Sequence, residues 1–202
     1  DPKNPEIVHN LGLAYWYKGR TLGDTPLILK GEEFLSQSVK MDSSHPEWFN
    51  NLCALYVELA RYDAAVEKCD VALQHPAYRT PERALNNMGK AYILKGQPER
   101  ALESLDKALR IQPRACHVLW NRGQALQALA RWDEAIRTLE DANRICPTYP
   151  GPFLMKGQVL YFGKRDKVSA VAALEKAQSL DPNGPMGEEA AKLLKEILSG
   201  TQ

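Results

Sequence analysis

The sequence predicts an all-α fold: a right-handed superhelical solenoid of about five helix–turn–helix repeats, closed by a C-terminal capping helix. Three observations predict it. The stretches Gly89-Lys90-Ala91-Tyr92, Gly123-Gln124-Ala125-Leu126 and Gly157-Gln158-Val159-Leu160 place their glycines at intervals of 34 residues. Small partners follow at intervals of 34 and 35: Ala101, Ala135 and Ala170, then Ala108, Ala142 and Ala177. Pro113, Pro147 and Pro182 close the three units. A lone helical hairpin cannot bury its apolar face, so units of this kind stack into one continuous core.

A 34-residue period with small residues at those places is the signature of the tetratricopeptide repeat. The expected repeats cover about 5–44, 46–77, 82–115, 116–149 and 150–184, with the cap at about 186–199, all in a single domain spanning 1–202. In the first repeat, Asn10-Leu11-Gly12-Leu13-Ala14-Tyr15 belongs to helix A, and the second helix follows about seven residues late. The surplus, Arg20 to Pro26, predicts an enlarged loop at the A–B turn. In the second repeat Cys53 stands where the others carry Gly, and Cys69 where they carry Leu. The third is the most regular, with helix A over about 82–95 and helix B over about 98–111. Gly96 supplies its turn, since glycine tolerates a left-handed backbone, and Pro98 opens helix B where a missing N–H costs nothing. The fourth repeats this design with Leu119, Gly123, Leu126, Ala135, Leu139 and Ala142; the fifth carries one extra residue near Arg165. In the cap, Leu193, Leu194 and Ile197 share an inward face. The opening Asp1-Pro2-Lys3-Asn4-Pro5 reads like an inter-repeat loop, so more chain is expected upstream.

Composition narrows the function. The net charge is +1 and no basic stripe stands out, which argues against nucleic acid as a partner. No apolar run approaches the ~18 residues of a membrane span. The four histidines are scattered over different repeats, and no CxxC or HExxH pattern occurs, so no metal, cofactor or catalytic site is expected. The expected activity is binding of another polypeptide, by a monomer.

The A helices of such an array line its concave groove. Repeat position assigns His9, Asn10 and Trp16 to it from the first unit, Asn50 and Asn51 from the second, and Asn86, Asn87 and Lys90 from the third. Trp120, Asn121 and Gln124 follow from the fourth, and Leu154, Gln158 and Tyr161 from the fifth. Amides facing a groove can bracket a peptide backbone, and tryptophan is a frequent interface anchor. The alternative for the asparagines is that they tie neighbouring repeats together.

Cys53 and Cys69 lie eight residues either side of Arg61, and Cys116 and Cys146 fifteen either side of Arg131. Antiparallel helices set each pair opposite. Of the three connectivities four cysteines permit, only this one stays within single repeats. Two disulfides, which imply an oxidising compartment, fit these spacings; thiols acting as small hydrophobes fit Cys53 and Cys69 but fit Cys116 and Cys146, at helix ends, poorly.

One stretch is more specific than a generic repeat. His45-Pro46-Glu47-Trp48-Phe49-Asn50-Asn51 enters the second unit, and a linker two residues longer than the period carries Tyr78, Pro81, Glu82, Asn87 and Gly89 as Tyr-x-x-Pro-Glu-x-x-x-x-Asn-x-Gly. This resembles the PilF/PilW/Tgl family of type IV pilus biogenesis lipoproteins, over about 42–113, with Tgl-type members nearest. The resemblance implies a pilotin, an outer-membrane lipoprotein facing the periplasm that promotes secretin multimerisation or stability. Its partner would be a PilQ-like secretin subunit, and its lipidated cysteine would lie upstream of Asp1. Two other readings compete. A co-chaperone that clamps acidic C-termini needs Lys and Arg where Asn50, Ala54, Asn87, His117 and Asn121 stand. The recognition arm of a larger enzyme, such as a glycosyltransferase, would be told apart by gene length.

Overall fold

The computed structural model describes residues 3–200; Asp1 and Pro2 of the opening loop lie outside them. The described chain holds eleven α-helices and one turn of π-helix, and no strand. The helices group into two compact units, Asp1–Lys95 and Gly96–Gln202.

The first unit contains α1 (Pro5–Leu22), α2 (Thr25–Met41), α3 (Pro46–Glu58), α4 (Tyr62–Gln74) and α5 (Pro81–Leu94). Helices α1 and α2 form one hairpin, α3 and α4 a second, and α5 packs on both members of the second. Local chemistry sets the ends. Asn4 accepts from the backbone N–H groups of Glu6 and Ile7, at 2.9 and 3.3 Å. Asp24 does the same for Leu27 at 3.0 Å. These caps satisfy donors that a helix start would otherwise leave open.

The surplus of the first repeat is helix, not loop. Only Gly23 and Asp24 separate α1 from α2, and both helices are longer than their counterparts, at 18 and 17 residues. The reason is register. A Cβ on Gly12 would meet Leu35 Cγ at 2.8 Å. Seven residues along α1 and seven back along α2, Gly19 meets Ile28 in the same way, and between them Gly31 meets the Trp16 backbone at 2.8 Å. Seven residues are nearly two helical turns, so the lengthened hairpin keeps the same faces in contact. The extra glycines, Gly19 and Gly31, were the sign in the sequence that this segment packs as helices.

The second unit contains α6 (Pro98–Ile111), α7 (Cys116–Ala128), α8 (Trp132–Ile145), α9 (Pro150–Gln158), the π turn Val159–Gly163, α10 (Lys167–Leu180) and α11 (Pro185–Ser199). Helix α6 packs on α7, α7 pairs with α8, α9 with α10, and α11 lies against α10 and α9. The small-residue crossings recur: a Cβ on Gly123 would lie 2.7 Å from Leu139 Cδ2, and one on Gly157 2.5 Å from Leu174 Cγ. The extra residue of the fifth repeat is absorbed by the π turn, whose Gly163 packs under the Trp132 ring. Five inter-helix turns pass through a left-handed residue: Gly23, Ala60, Gly96, Ala130 and Arg165. Only two of them use glycine.

Both cysteine pairs are bonded, Cys53 to Cys69 and Cys116 to Cys146. The first pair occupies the place that Gly123 and Leu139 hold in the fourth repeat, at the same sequence separation of 16. The second sits seven residues outward from Gly123 and Leu139 on the same two helices, so one antiparallel register accounts for both. Cys53 and Cys69 are fully buried; Cys116 and Cys146 are half-buried.

Candidate functional site

The residues assigned to a groove divide into those that hold repeats together and those that remain on the surface. In the first unit, His9, Trp16 and Asn50 are buried, at 3%, 4% and 9% exposure. The Trp16 indole N–H donates to Glu58 at 3.0 Å, which ties α1 to α3. Asn87 donates to the Asn50 side-chain oxygen at 3.0 Å, which ties α5 to α3. These groups spend their polar atoms within the unit, where each buried bond avoids the cost of an unpaired polar group. Asn10 and Lys90 are exposed and Asn86 is half-buried.

His9 sits in a network with a definite proton order. The Ser38 hydroxyl donates to the Leu35 carbonyl at 2.8 Å, so it accepts from His9 Nδ1–H at 3.2 Å. His9 Nε2 is then the acceptor for the Asn51 amide at 3.1 Å. The Trp48 ring stacks on His9 and on His45, with centroids 4.6 and 4.3 Å apart. Burial, with the nearby His45 charge as a smaller contribution, lowers the His9 pKa to about 4. The ring is neutral at pH 7 and serves packing between the first and second repeats. The Asn51 signal in the sequence was therefore a structural tie, the alternative already held open for these amides.

In the second unit Asn121 is buried at 5% exposure, whereas Trp120 and Gln124 are half-buried and line a cleft. The cleft has a volume of about 150 Å³. Its floor is Leu154 and Met155, and Gln158 and Glu189 close it on the side of α11. Tyr149 meets the Trp120 ring edge-on, centroids 5.6 Å apart, and burial pushes the Tyr149 hydroxyl pKa up. The Gln158 amide donates to Glu189 at 2.7 Å. A second depression, along Phe162, Lys192, Leu193 and Glu196, shares Gln158 and Glu189 with the first. Leu154 and Gln158, assigned to the groove by repeat position, line the cleft, whereas Tyr161 of the π turn is buried; Phe162 and the contribution of α11 were not visible in the repeat pattern. No grouping of three metal-ligating side chains occurs among the described residues.

Comparison with known proteins fits this geometry. Residues 82–114 match the tetratricopeptide repeat family. The chain has the tetratricopeptide-repeat fold. PilW, titled a widely conserved type IV pilus biogenesis factor, superposes with a TM-score of 0.78 at 18% identity, over 95% of this chain and 84% of that one. A thermophilic tetratricopeptide-repeat protein of Thermus thermophilus gives 0.75 at 20% identity, over 97% and 100%. PilF of Pseudomonas aeruginosa gives 0.73 at 18% identity, over 96% and 83%. In sequence, the chain is 24% identical over 181 residues to the BBSome complex member BBS4 of Bos taurus, spanning 89% of this chain and a third of that protein.

Proposed function

We propose that this chain is a protein-binding scaffold and that, within that class, it is a pilotin: it binds a secretin subunit and promotes assembly of the outer-membrane pore used by type IV pili. The observation that carries this reading is the shared fold with PilW and PilF over 95% and 96% of the chain. The extended linker with Tyr78, Pro81 and Glu82 supports it, because it is the part of the sequence that resembles that family beyond the common repeat. The two disulfides support an oxidising compartment, and the proposed location is the periplasmic face of the outer membrane, reached through a lipid anchor upstream of Asp1. The chain would act without covalent chemistry, by holding the subunit near the membrane at raised local concentration.

The test is co-purification of the secretin with the full-length tagged protein from a native envelope. Wild type should retain the secretin. Lys90→Ala and Gln124→Ala, which remove surface groups and leave the core alone, should reduce it while helicity is unchanged. If no secretin is retained by wild type, the pilotin reading is wrong.

A further inference from the structure

The two depressions of the second unit form one surface with an alternating chemical pattern. At one end, Trp120 stands over the buried side chains Leu154 and Met155. At the other, Phe162, 51% exposed, stands beside the buried Leu193. The π turn that absorbs the extra residue is also the segment that carries Phe162 to the surface. Between and beyond the two apolar points are Glu189 and Glu196, on the same face of α11 seven residues apart. Among the described residues neither carboxylate has a Lys or Arg partner within 4 Å, while Lys192 is the only cation lining this surface, which leaves it acidic. The Trp120 indole N–H is enclosed without a hydrogen-bond partner, and buried indoles usually have one.

Resting on the scaffold reading, we infer that this surface binds a peptide segment in polyproline II conformation that presents apolar side chains together with arginine or lysine. One apolar side chain enters beside Trp120, a second lies on Phe162 and Leu193, and cationic side chains meet Glu189 and Glu196. The spacing follows from the helix. Seven residues of α11 rise about 10 Å, close to the ~9 Å that three residues cover in polyproline II conformation, whose three-residue turn also sets residues i and i+3 on one face, so the two cations stand three residues apart. Gln124 lines the same cleft and is placed to bond the peptide backbone. Carboxylates at the rim act mainly on choice of partner and on association, and their effect weakens with salt.

The experiment uses purified chain and three fluorescein-labelled synthetic peptides read by anisotropy. All three carry two leucines on a Gly/Ser background, with two arginines, two glutamines or two glutamates at the spaced positions. The arginine peptide should bind tightest, by about 10-fold over the glutamine one, and lose that margin at high salt. Glu189→Gln with Glu196→Gln should bring the arginine and glutamine peptides level. Glu189→Lys with Glu196→Lys should make the glutamate peptide the preferred one; both residues sit at the surface of α11, and circular dichroism checks that the fold is kept. Equal binding of all three peptides to wild type, no binding at all, or an unchanged ranking in the Lys variant overturns the inference. Secretin retention without any peptide preference would overturn this site alone; the predicted peptide ranking without secretin retention would overturn the pilotin reading alone.

Discussion

The pair Cys53 and Cys69 replaces a packing contact that the other repeats make with Gly and Leu, and this allows the cross-link and the packing to be separated. Both residues are fully buried, and the bond closes a loop of separation 16. Loop closure of that size is worth about 3 kcal/mol. Cys53→Ala with Cys69→Ala loses it together with two buried sulfurs, at roughly 1 kcal/mol each, for a total near 5 kcal/mol. Cys53→Gly with Cys69→Leu restores the pair seen at Gly123 and Leu139. It loses the cross-link and about 1 kcal/mol for glycine in a helix, and recovers about as much from the larger buried leucine, so it should cost only about 3 kcal/mol. The assay is urea denaturation followed by circular dichroism, where a difference of about 2 kcal/mol separates the two variants by about 1 M in midpoint. A Gly/Leu variant that is no more stable than the Ala/Ala variant would refute the claim that the disulfide stands in for the repeat's ordinary helix crossing.

Four further outcomes are expected. Cys116→Ala with Cys146→Ala should cost about 3.5 kcal/mol from a separation of 30, and this half-buried bond should be the first of the two to yield to a reductant, read by mass-spectrometric thiol labelling. His9 has a folded pKa of about 4, below its unfolded value near 6.5, so the neutral ring stabilises the fold fully above that unfolded value. That contribution, on the order of 2–3 kcal/mol, should be lost as pH falls from 6.5 towards 4, and His9→Gln should flatten that part of a urea-midpoint pH profile. Gly157→Ala sets a Cβ 2.5 Å from Leu174 Cγ and should cost about 1–3 kcal/mol, whereas the same change in an uncrowded helix interior would stabilise. Ala130→Gly should raise the urea midpoint slightly, by the equivalent of about 0.5 kcal/mol, because relief of the left-handed backbone at φ 54° outweighs the extra freedom of unfolded glycine.

Much of the fold is legible because the repeat fixes contacts at constant spacing. Gly123 and Leu139, Gly157 and Leu174, and the two cysteine pairs all follow from one rule, that antiparallel helices juxtapose residues equidistant from their turn. The enlarged loop expected at Arg20–Pro26 failed for a related reason: a surplus of seven was read as a break in the period, although it preserves helical phase and brings its own small residues, Gly19 and Gly31. The candidate site was less legible. Repeat position put His9, Trp16, Asn50 and Asn121 on a groove, but position along a helix does not say whether the neighbouring helix covers a side chain. The structure buries all four, and the bonds that His9, Trp16 and Asn50 make to Ser38, Asn51, Glu58 and Asn87 bind helix to helix within the first unit.

By itself the sequence determined the helical hairpins, their crossing residues and which cysteines lie opposite each other, because each depends on spacing within one short segment and on side-chain size. Tertiary structure decided which polar and aromatic groups are already satisfied inside the protein and which still face outward. Satisfaction is settled between helices distant in sequence, where Trp16 finds Glu58 and Asn87 finds Asn50, and where α11 brings two carboxylates beside Trp120 and Phe162.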